Sequence, residues 1–348
     1  MPYTVLVTAP SLATPGLEIL RQRQCEVLFV SDIADKASLA HQLKQAPIDA
    51  IISRTMTIDA EMMKSCPTLK VISKHGVGVS NIDLHAAAQQ NIAVFATPGA
   101  NSQAVAEFTL GLMFAGARHL ARFDRRVRAG LWQRDGDGME LHGKTLGLVG
   151  FGQIGQRVAQ VALALGMKVV VVDPWVSPGV ASAQGVTLVD GLQALLPQCN
   201  VLSLHCPAQR GAPPLINAQA LALLPSGAII INTARGELID EQALVDALTN
   251  GHLAAAGLDT FASEPLDADS PLRQLDNVLL TPHVAGSTPE ALAKMACGAV
   301  NNALTWLDSQ PLTEASGRCP PVTAEQRARL EQCRVPLPTI STTGETSA

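Results

Sequence analysis

The sequence predicts an α/β protein made of two doubly wound parallel-sheet domains. Short β-branched runs alternate with helix-length segments along most of the chain. The runs are almost continuously apolar, which is typical of parallel strands that are buried on both faces. Eleven such runs exceed one typical sheet, and 348 residues suffice for two cores, because a single core stops growing at roughly 250–300 residues.

The first five runs are assigned to one sheet and the last six to another. In chain order they are 4–9, 26–30, 50–53, 70–74, 93–96, then 145–150, 168–173, 201–205, 228–233, 254–259 and 277–282. The division falls where Pro98 and Gly99 break the pattern, before a helix that opens near Asn101 or Ser102. That helix, expected over 102–123, is apolar nearly all round in its first half. It is therefore expected to be buried, either in the core or against a second subunit.

The C-terminal part of the chain changes in composition. A helix is expected over 288–307, returning to the first domain. From residue 313 onward Pro, Thr, Ser and Gly dominate, so 313–348 is predicted to be mostly disordered, with one short helix around Ala324 to Cys333. The first domain is thus 1–98 plus 287–312, and the second is 99–286.

The composition excludes several classes of function. A net charge of -5 and 3% aromatic residues argue against a nucleic-acid partner. The longest largely apolar stretch, 104–117, contains Glu107 and is shorter than the ~18 residues of a membrane span. The seven cysteines form no C-x-x-C pair, so no metal site is expected and the location is predicted to be the cytoplasm. The N-terminus lacks the features of a signal peptide.

The stretch "GLVGFGQIGQRV" (147–158) has the spacing of a dinucleotide-binding turn. Gly150 permits the tight turn, Gly152 lets the backbone approach a pyrophosphate, and Gly155 allows close packing of the following helix on the strand. The next strand ends at Asp173, whose carboxylate can accept hydrogen bonds from both adenosine ribose hydroxyls. A carboxylate there repels a 2′-phosphate, so the pattern favours NAD over NADP.

Three ionisable side chains follow late strands of the second domain, where catalytic residues of open α/β sheets lie. They are Arg235 in "INTARGELID", Glu264 in "DTFASEPL" and His283 in "LLTPHVAGST". With "ELHGKTLGLVGFGQIG", these motifs resemble the D-isomer-specific 2-hydroxyacid dehydrogenase family, close to its 3-phosphoglycerate dehydrogenase branch, over about residues 3–312. The resemblance implies that these three residues are catalytic, in a Rossmann NAD-binding domain beside a flavodoxin-like substrate-binding domain. It places further cofactor contacts at Val77, Gln153, Ile154, Cys206, Thr233, Asp259 and Gly286.

The chemistry of these side chains agrees with such roles. A guanidinium at Arg235 can hold the carboxylate and carbonyl of a 2-keto acid through its forked N–H donors. Reduction of the carbonyl needs a proton, which His283 can deliver. A carboxylate at Glu264 beside the imidazole favours its protonated form and fixes its tautomer.

A second glycine-rich turn lies on the substrate side, in "SKHGVGVSNIDL" (73–84). The amides of His75, Gly76, Val77 and Gly78 are predicted to form a nest for a carboxylate. By resemblance this is the substrate loop of the family, and Arg54 matches an arginine that can reach a distal anionic group. Lys74 and His75 replace a more common Arg-Ala pair, which leaves the identity of the substrate open.

The sequence thus predicts an NAD-dependent dehydrogenase of a small anionic D-2-hydroxy acid, with 3-phosphoglycerate as the leading candidate. Glyoxylate or hydroxypyruvate reduction is the alternative within the same class. A protein of another class, an NAD-sensing corepressor-like scaffold, could share the fold. A homodimer is expected, and the domains are expected to enclose the substrate.

Overall fold

The computed structural model describes residues 2–32, 35–134, 136–209, 211–310 and 322–339. The chain forms two compact units: residues up to Asn101 together with those from Thr288 onward, and Ser102–Ser287. Each is an α/β unit built on a parallel sheet, as the sequence predicts. Among the described residues, no helix combines the length and the apolar character that a membrane span requires.

The first unit has a five-stranded sheet in the order β2-β1-β3-β4-β5. Its strands are Thr4–Val7 (β1), Glu26–Phe29 (β2), Ala50–Ser53 (β3), Val71–Lys74 (β4) and Ala93–Phe95 (β5). Its first helices are Thr14–Gln22 (α1), Lys36–Gln45 (α2), Ala60–Lys64 (α3) and Leu84–Gln89 (α4). This strand order is that of flavodoxin-like folds.

Both faces of this sheet are buried, which explains the unbroken apolar runs. Val5 and Val7 point into one core cluster and Leu6 into another, and all three are 0% exposed. Side chains of α2, α3 and α4 complete the cluster around Leu6, and those of α1 complete the other. Successive residues of a strand point to opposite faces, so each face needs its own apolar layer.

The second unit has a seven-stranded sheet, in an order that reverses next to β6. Its strands are Thr145–Val149 (β6), Lys168–Val172 (β7), Thr187–Leu188 (β8), Val201–Leu204 (β9), Ala228–Asn232 (β10), Leu253–Leu258 (β11) and Val278–Leu280 (β12). The order is β12-β11-β10-β9-β6-β7-β8. The first βαβ unit therefore places β7 on one side of β6 and β9 on the other, the switch point at which such sheets bind ligands.

The helices of the second unit cover both faces of its sheet. They are Ser102–Ala117 (α5), Leu120–Arg128 (α6), Gln153–Ala164 (α7), Pro178–Ala183 (α8), Leu192–Leu195 (α9), Ala218–Leu223 (α10) and Glu241–Thr249 (α11), with 3₁₀ turns at Leu196–Gln198, Gly236–Leu238 and Pro271–Gln274. Leu110 and Met113 of α5 pack in one core cluster together with α7. The sequence predicts burial of this helix either in the core or against a second subunit, and most of α5 is buried in the core.

Two details of the second unit differ from the sequence prediction. The expected helix over 102–123 is broken, because His119 has a left-handed backbone with φ of 51° and α6 begins only at Leu120. In addition, β8 was not predicted. It has two residues and, among the described strands, pairs only with β7, so it is too short to form a recognisable apolar run or alternation in the sequence.

The C-terminal part of the chain adds two helices to the first unit. They are Pro289–Ser309 (α12), which begins after the capping residue Thr288, and Ala324–Cys333 (α13), which begins with a capping box at Thr323. Val300, Ala303 and Leu304 of α12 fill the core cluster that contains α1. The predicted short helix around Ala324 to Cys333 is thus present.

Of the tail that the sequence predicts to be mostly disordered, the structure describes residues 322–339, which contain the predicted helix and pack against the first unit. Leu330 is buried against the core of the first unit, and the Arg334 guanidinium lies 5.4 Å from the centre of the Trp306 ring. The backbone that follows pairs with β5: the amide of Ala96 donates to the carbonyl of Cys333, and the amide of Val335 to that of Val94. These contacts are long-range, so composition alone could not reveal them. Residues 311–321 and 340–348 lie outside the described residues.

Candidate active site

The glycine turn after β6 is shaped by the close approach of the strand end of β9. Gly150 has φ of +97°, and a Cβ there would lie 2.7 Å from the carbonyl carbon of His205. A Cβ on Gly155 would lie 2.5 Å from the carbonyl oxygen of Gly150. Gly152, in contrast, has no atom within 4 Å of its Cβ position. The turn is therefore packed tightly against the sheet on one side and open at Gly152.

Helix α7 begins at this open side. Its N-terminal cap is Gly152, which offers no side chain to the first amides of the helix. The amides of Gln153 and Ile154 lie in that first turn, where an α-helix leaves its N–H groups without intrahelical partners. Such a turn presents donors and the positive end of the helix dipole to an anion.

Asp173 lies directly after β7 and is tied to this turn. Its Oδ2 accepts a hydrogen bond from the amide of Phe151 at 2.7 Å, and its Oδ1 accepts one from the amide of Trp175 at 2.8 Å. A carboxylate offers about four acceptor positions, so two amides leave room for further donors. The carboxylate is thus held beside the turn with acceptor capacity for ribose hydroxyls.

The end of β9 forms the other side of the switch point. The Oγ of Ser203 and the Nε2 of His205 lie 2.9 Å apart, and burial lowers the pKa of His205 to about 4. Burial also raises the pKa of Cys206, with a further contribution from the charge of Asp173. His205 is therefore neutral and Cys206 a protonated thiol at neutral pH, so this side of the site carries no charge of its own.

The loop after β10 is fixed by Asn232. The Asn232 side chain is buried, donates to the carbonyl of Arg235 at 2.8 Å and accepts from the amide of Ala234 at 3.0 Å. Thr233 is anchored to α5, because its hydroxyl oxygen lies 2.8 Å from that of Thr109. Arg235 is half-buried, and its Nη1 donates to the carbonyl of Ala234 at 2.6 Å. The other four guanidinium N–H donors have no hydrogen-bond partner in the part of the chain that the structure describes.

Gly236 brings this loop against the loop after β11. A Cβ on Gly236 would lie 1.8 Å from the carbonyl carbon of Phe261, a distance that only glycine tolerates. The amide of Phe261 in turn donates to the Oε1 of Glu264 at 3.1 Å. The positions of Arg235 and Glu264 are therefore coupled through backbone contacts.

Glu264 and His283 form a hydrogen-bonded pair. The Nδ1 of His283 lies 2.8 Å from the Oε2 of Glu264, and the side chains are 49% and 38% exposed. Burial raises the pKa of Glu264, but the hydrogen bonds from His283 and the Phe261 amide, with the charges of His283 and Arg235, lower it by more. The carboxyl is thus ionised at neutral pH, so Nδ1 must be the donor. The Nε2 of His283 has no partner among the described residues.

The loop that carries His283 is held by Asp259. The Asp259 side chain is fully buried and accepts hydrogen bonds from the Thr281 hydroxyl at 2.6 Å and from the amides of Val284 and Ala285 at 2.9 Å. His283 itself has φ of +53°, a left-handed conformation that costs energy for any residue with a side chain. Asp259 thus holds His283 in place. The contacts of Asp259, Thr233 and Gly286 with the nicotinamide stay predictions; Gly286 is half-buried and lies at the end of this loop.

The predicted substrate loop lies in the first unit, and its structure corrects one expectation. The amide of His75 donates to the carbonyl of Ser53 at 2.9 Å, and the amide of Gly76 to the Thr97 hydroxyl at 3.0 Å. The predicted four-amide nest is therefore wrong for its first two amides, which the fold itself uses. Val77, 49% exposed, and Gly78 remain as donors.

Lys74, Arg54 and His75 near this loop differ in their hydrogen bonds and burial. Lys74 donates to the carbonyl of Arg54 and, at 2.6 Å, to the Oδ1 of Asn81. Burial lowers the pKa of the half-buried Arg54. His75 is buried, and desolvation together with the charges of Arg54 and Lys74 lowers its pKa to about 4. Arg54 and Lys74 thus both carry a positive charge near His75, and the Lys74 ammonium donates to the Arg54 carbonyl and to Asn81.

Comparisons with known proteins bear on these observations. The family model for "D-isomer specific 2-hydroxyacid dehydrogenase, NAD binding domain" matches residues 110–285. The D-3-phosphoglycerate dehydrogenase of Mycobacterium bovis is 41% identical over 293 residues, which cover 84% of this chain and 54% of that protein. The hydroxypyruvate reductase of Thermotoga maritima is 42% identical over 293 residues, which cover 83% of this chain and 93% of that protein. The chain belongs to the D-isomer-specific 2-hydroxyacid dehydrogenase family.

Solved structures agree with this family assignment. The TT0316 protein from Thermus thermophilus superposes with a TM-score of 0.80 at 39% identity, covering 88% of this chain and 97% of that one. The predicted family and fold are therefore confirmed. This chain spans about half the length of the curated phosphoglycerate dehydrogenases it matches.

The residues of the second unit fit NAD, the cofactor of this family. Gly152 leaves the turn open for a pyrophosphate, and Gln153 and Ile154 begin the helix beside it. Asp173 offers acceptors for the ribose hydroxyls and is a poor neighbour for a 2′-phosphate. The prediction of NAD as the cofactor is confirmed.

Sequence reasoning missed Asn232, Thr109 and Gly236, which hold the loop that carries Arg235 in place. A signal was present for Gly236, because a glycine directly after a candidate catalytic arginine often marks a close backbone approach. For Asn232 and Thr109 the sequence gives no sign, since a buried polar residue in a strand or helix has many possible partners.

Proposed function

We propose that this chain interconverts a small anionic D-2-hydroxy acid and its 2-keto acid with NAD. The observation that carries the proposal is the pair of Glu264 and His283, with the Nε2 of His283 open to a substrate. It lies in the same unit as a glycine turn that fits a dinucleotide. An exposed imidazole held by a carboxylate is the group that proton transfer to a carbonyl oxygen requires.

Each side chain of the site has a separate task. NAD, when bound, accepts or supplies the hydride. Arg235 holds the carboxylate and carbonyl of the keto acid through its remaining N–H donors. In reduction His283 delivers a proton from Nε2 to the carbonyl oxygen, and in oxidation the neutral ring takes it back. Glu264 fixes the proton on Nδ1, which leaves Nε2 to exchange a proton with the substrate.

The substrate we propose first is a 3-phosphoglycerate-like acid. The phosphoglycerate dehydrogenases among the relatives support it, as does Arg54, whose positive charge lies close enough to the predicted substrate loop to lower the pKa of His75. The second candidate is hydroxypyruvate or glyoxylate reduction, favoured because the similar hydroxypyruvate reductase of Thermotoga maritima is covered over 93% of its length. The two differ in their need for Arg54, since only a phosphorylated acid carries a second anionic group.

A panel of substrates tests these alternatives. Oxidation of NADH is followed by absorbance with 3-phosphohydroxypyruvate, hydroxypyruvate, glyoxylate and pyruvate, for the wild type and Arg54→Ala. A phosphoglycerate-type enzyme prefers the phosphorylated acid and loses that preference in the variant. A hydroxypyruvate reductase prefers the smaller acids and is little affected. Binding of NAD without turnover on any member would reject the enzyme and favour the NAD-sensing corepressor-like scaffold.

We further propose that the chain is a homodimer through the surface formed by α6 and the residues that directly follow it. Helix α6 has no buried residue, and Leu120, Val127, Leu131 and Trp132 are each about half or more exposed. Apolar surface of this extent on one side of a protein marks an interaction site. Sedimentation of the wild type should give a dimer and that of Val127→Asp a monomer; a monomeric wild type would reject the proposal.

A cytoplasmic location is proposed on the chemistry of the cysteines. The cysteines that the structure describes are all free thiols, and Cys66 and Cys199 are buried. Proteins of oxidising compartments tend to pair their cysteines. Fractionation of cells that produce the protein would test the location.

A further inference from the structure

The C-terminal segment 322–339, called the strap below, is bound to the last strand of the five-stranded sheet. The amide of Val335 donates to the carbonyl of Val94 at 2.9 Å, and the amide of Ala96 donates to the carbonyl of Cys333 at 2.8 Å. These bonds lie at the end of β5, the outermost strand on that side of the sheet. The strap thus holds the backbone at the point where the chain leaves β5.

The side chains of the strap contact both core layers of the first unit. Leu330, which is 5% exposed, packs in the cluster that contains α1 and α12, whereas Val335 and Leu337 pack against the cluster on the other face of the sheet. Pro336 and Pro338 follow these two residues directly, and a proline favours an extended backbone at the residue before it. Burial on two faces therefore fixes the strap, in addition to its backbone bonds.

The residues that follow β5 are enclosed between the strap and α12. The carbonyl of Ala96 accepts a hydrogen bond from the buried side chain of Asn302 at 2.9 Å, while its amide is bound to Cys333. A Cβ on Gly298 would lie 2.9 Å from the Cγ2 of Thr97, so α12 packs closely on the methyl group of this threonine. Ala96 and Thr97 are thus held on both sides.

Thr97 passes this anchoring on to the predicted substrate loop. Its amide donates to the carbonyl of Gly76 at 2.8 Å. Its hydroxyl accepts from the amide of Gly76 and donates to the carbonyl of the same residue, each at 3.0 Å. Val77 and Gly78, whose amides remain as donors for a carboxylate, follow Gly76 directly. Three hydrogen bonds therefore set the position from which these two donors project.

We propose that the strap is a positioning element for the predicted substrate loop and that it acts through Thr97, an inference that rests on the proposed function. Amides bind a carboxylate well only when the backbone already holds them in the required orientation. Displacement of the strap removes the partner of the Ala96 amide and the burial of Leu330. The chain after β5 then gains freedom, and Gly76 moves with Thr97. The strap thereby raises the affinity for the keto acid without touching it.

Two substitutions at Thr97 test the link to the loop. Thr97→Val keeps a methyl group against α12 but removes the hydroxyl, whereas Thr97→Ser keeps the hydroxyl and removes the methyl group. In Thr97→Val the KM for the keto acid should rise about 10-fold, the factor expected when one hydrogen bond to a charged group is lost. Its kcat should change little, because the carboxylate is bound alike before and during the reaction. Thr97→Ser should keep a KM close to that of the wild type.

A second pair of variants tests the strap itself. Leu330→Ala weakens its docking, and Leu43→Ala is the matched control. Leu43 is 1% exposed in α2, where the neighbouring Gln42 side chain donates to the Phe29 carbonyl of β2, the strand at the opposite border of the sheet. The KM for the keto acid should rise by up to about 10-fold in Leu330→Ala and stay unchanged in Leu43→Ala. The Kd for NADH should change less than the KM, because the glycine turn and Asp173 lie in the second unit.

Hydrogen exchange gives a readout that needs no substrate. Mass spectrometry of the peptide that covers residues 75–80 should show faster exchange in Leu330→Ala than in the wild type, since local opening governs the exchange of a loop. The same peptide in Leu43→Ala should exchange at the rate of the wild type. Thermal unfolding of both variants confirms that they are compared under conditions in which they are folded.

The outcomes separate this inference from the proposed function. An unchanged KM and unchanged exchange in Leu330→Ala would overturn the positioning role and leave the dehydrogenase proposal standing. Equal effects in Leu330→Ala and Leu43→Ala would also overturn it, because they would reflect a general loss of stability. A raised KM in Thr97→Ser with a normal one in Thr97→Val would reject the part assigned to the hydroxyl. If the wild type reduces no keto acid, the proposed function falls, and the exchange measurement alone decides whether the strap positions the loop.

Discussion

Gly236→Ala should impair the catalytic step more than it impairs cofactor binding. A methyl group on Gly236 would lie 1.8 Å from the carbonyl carbon of Phe261 and 2.3 Å from the amide nitrogen of Ala262, both backbone atoms. Cβ atoms essentially never approach closer than 3.0 Å, so the two loops must separate by about 1 Å or more. Overpacking of this kind costs about 1–3 kcal/mol of stability.

The effect on catalysis should exceed the effect on stability. Arg235 directly precedes the substituted residue, and Glu264 accepts the Phe261 amide, so separation of the loops displaces both. A misplacement of ~1 Å in a catalytic group costs about 10²-fold in rate. We therefore expect kcat/KM for keto-acid reduction to fall by about 10²-fold. The Kd for NAD should change less than kcat/KM, because the turn at Gly150 and the carboxylate of Asp173 are not touched.

Three measurements on one preparation test this reasoning: NADH oxidation, calorimetry with NAD, and thermal unfolding. Gly179→Ala is the matched control, since its Cβ position has no atom within 4 Å and it lies in α8. That variant should keep full activity and gain about 0.5–1 kcal/mol of stability, the usual difference between alanine and glycine in a helix. A Gly236→Ala protein with near-normal kcat/KM would refute the argument.

Four further substitutions test the remaining roles. His283→Ala should lower turnover about 10²–10⁴-fold, the usual contribution of a positioned acid-base group, and an unchanged rate would remove it from the mechanism. Arg235→Ala should weaken keto-acid reduction by several kcal/mol, at about 1.5–3 kcal/mol for each charged hydrogen bond lost; near-normal kcat/KM would reject that role. Asp173→Ala should narrow the preference for NAD over NADP in steady-state kinetics, and an unaltered ratio would mean that another residue reads the ribose. Because the pKa of Glu264 is lowered by folding, its ionised form stabilises the protein at neutral pH, and this is lost as the pH falls through the lowered value. The Tm of Glu264→Gln should therefore fall less on acidification than that of the wild type, and parallel curves would contradict the assignment.

All strands but β8 were predictable, because most of them are buried on both faces and form continuous apolar runs. The run at 50–53 coincides with β3, and that at 168–173 exceeds β7 by one residue. The break at His119 was not predictable, since neither glycine nor proline marks it and the left-handed conformation of a histidine depends on its surroundings. The same holds for Leu330, whose burial requires a partner surface more than 200 residues earlier as well as α12.

The positions of the candidate catalytic side chains were predictable from short motifs, but the contacts that hold these side chains were not. Arg235, Glu264 and His283 each follow a strand, and the sequence alone locates them. What fixes their geometry comes from distant parts of the chain, such as the contact of Gly236 with Phe261. The prediction of a four-amide nest was wrong for the same physical reason. The amides of His75 and Gly76 donate to Ser53 and Thr97, which are distant in sequence.

The pairing of the C-terminal segment with β5 has a consequence for handling the protein. In the sheet order β5 is an outermost strand, and the backbone around Cys333 and Val335 caps part of its outer side. A chain shortened at residue 310, as its composition invites, would leave those N–H and C=O groups bare, together with the indole of Trp306. An exposed edge strand can pair with strands of other molecules. The truncated chain should therefore aggregate under conditions in which a chain that extends to residue 339 stays in solution.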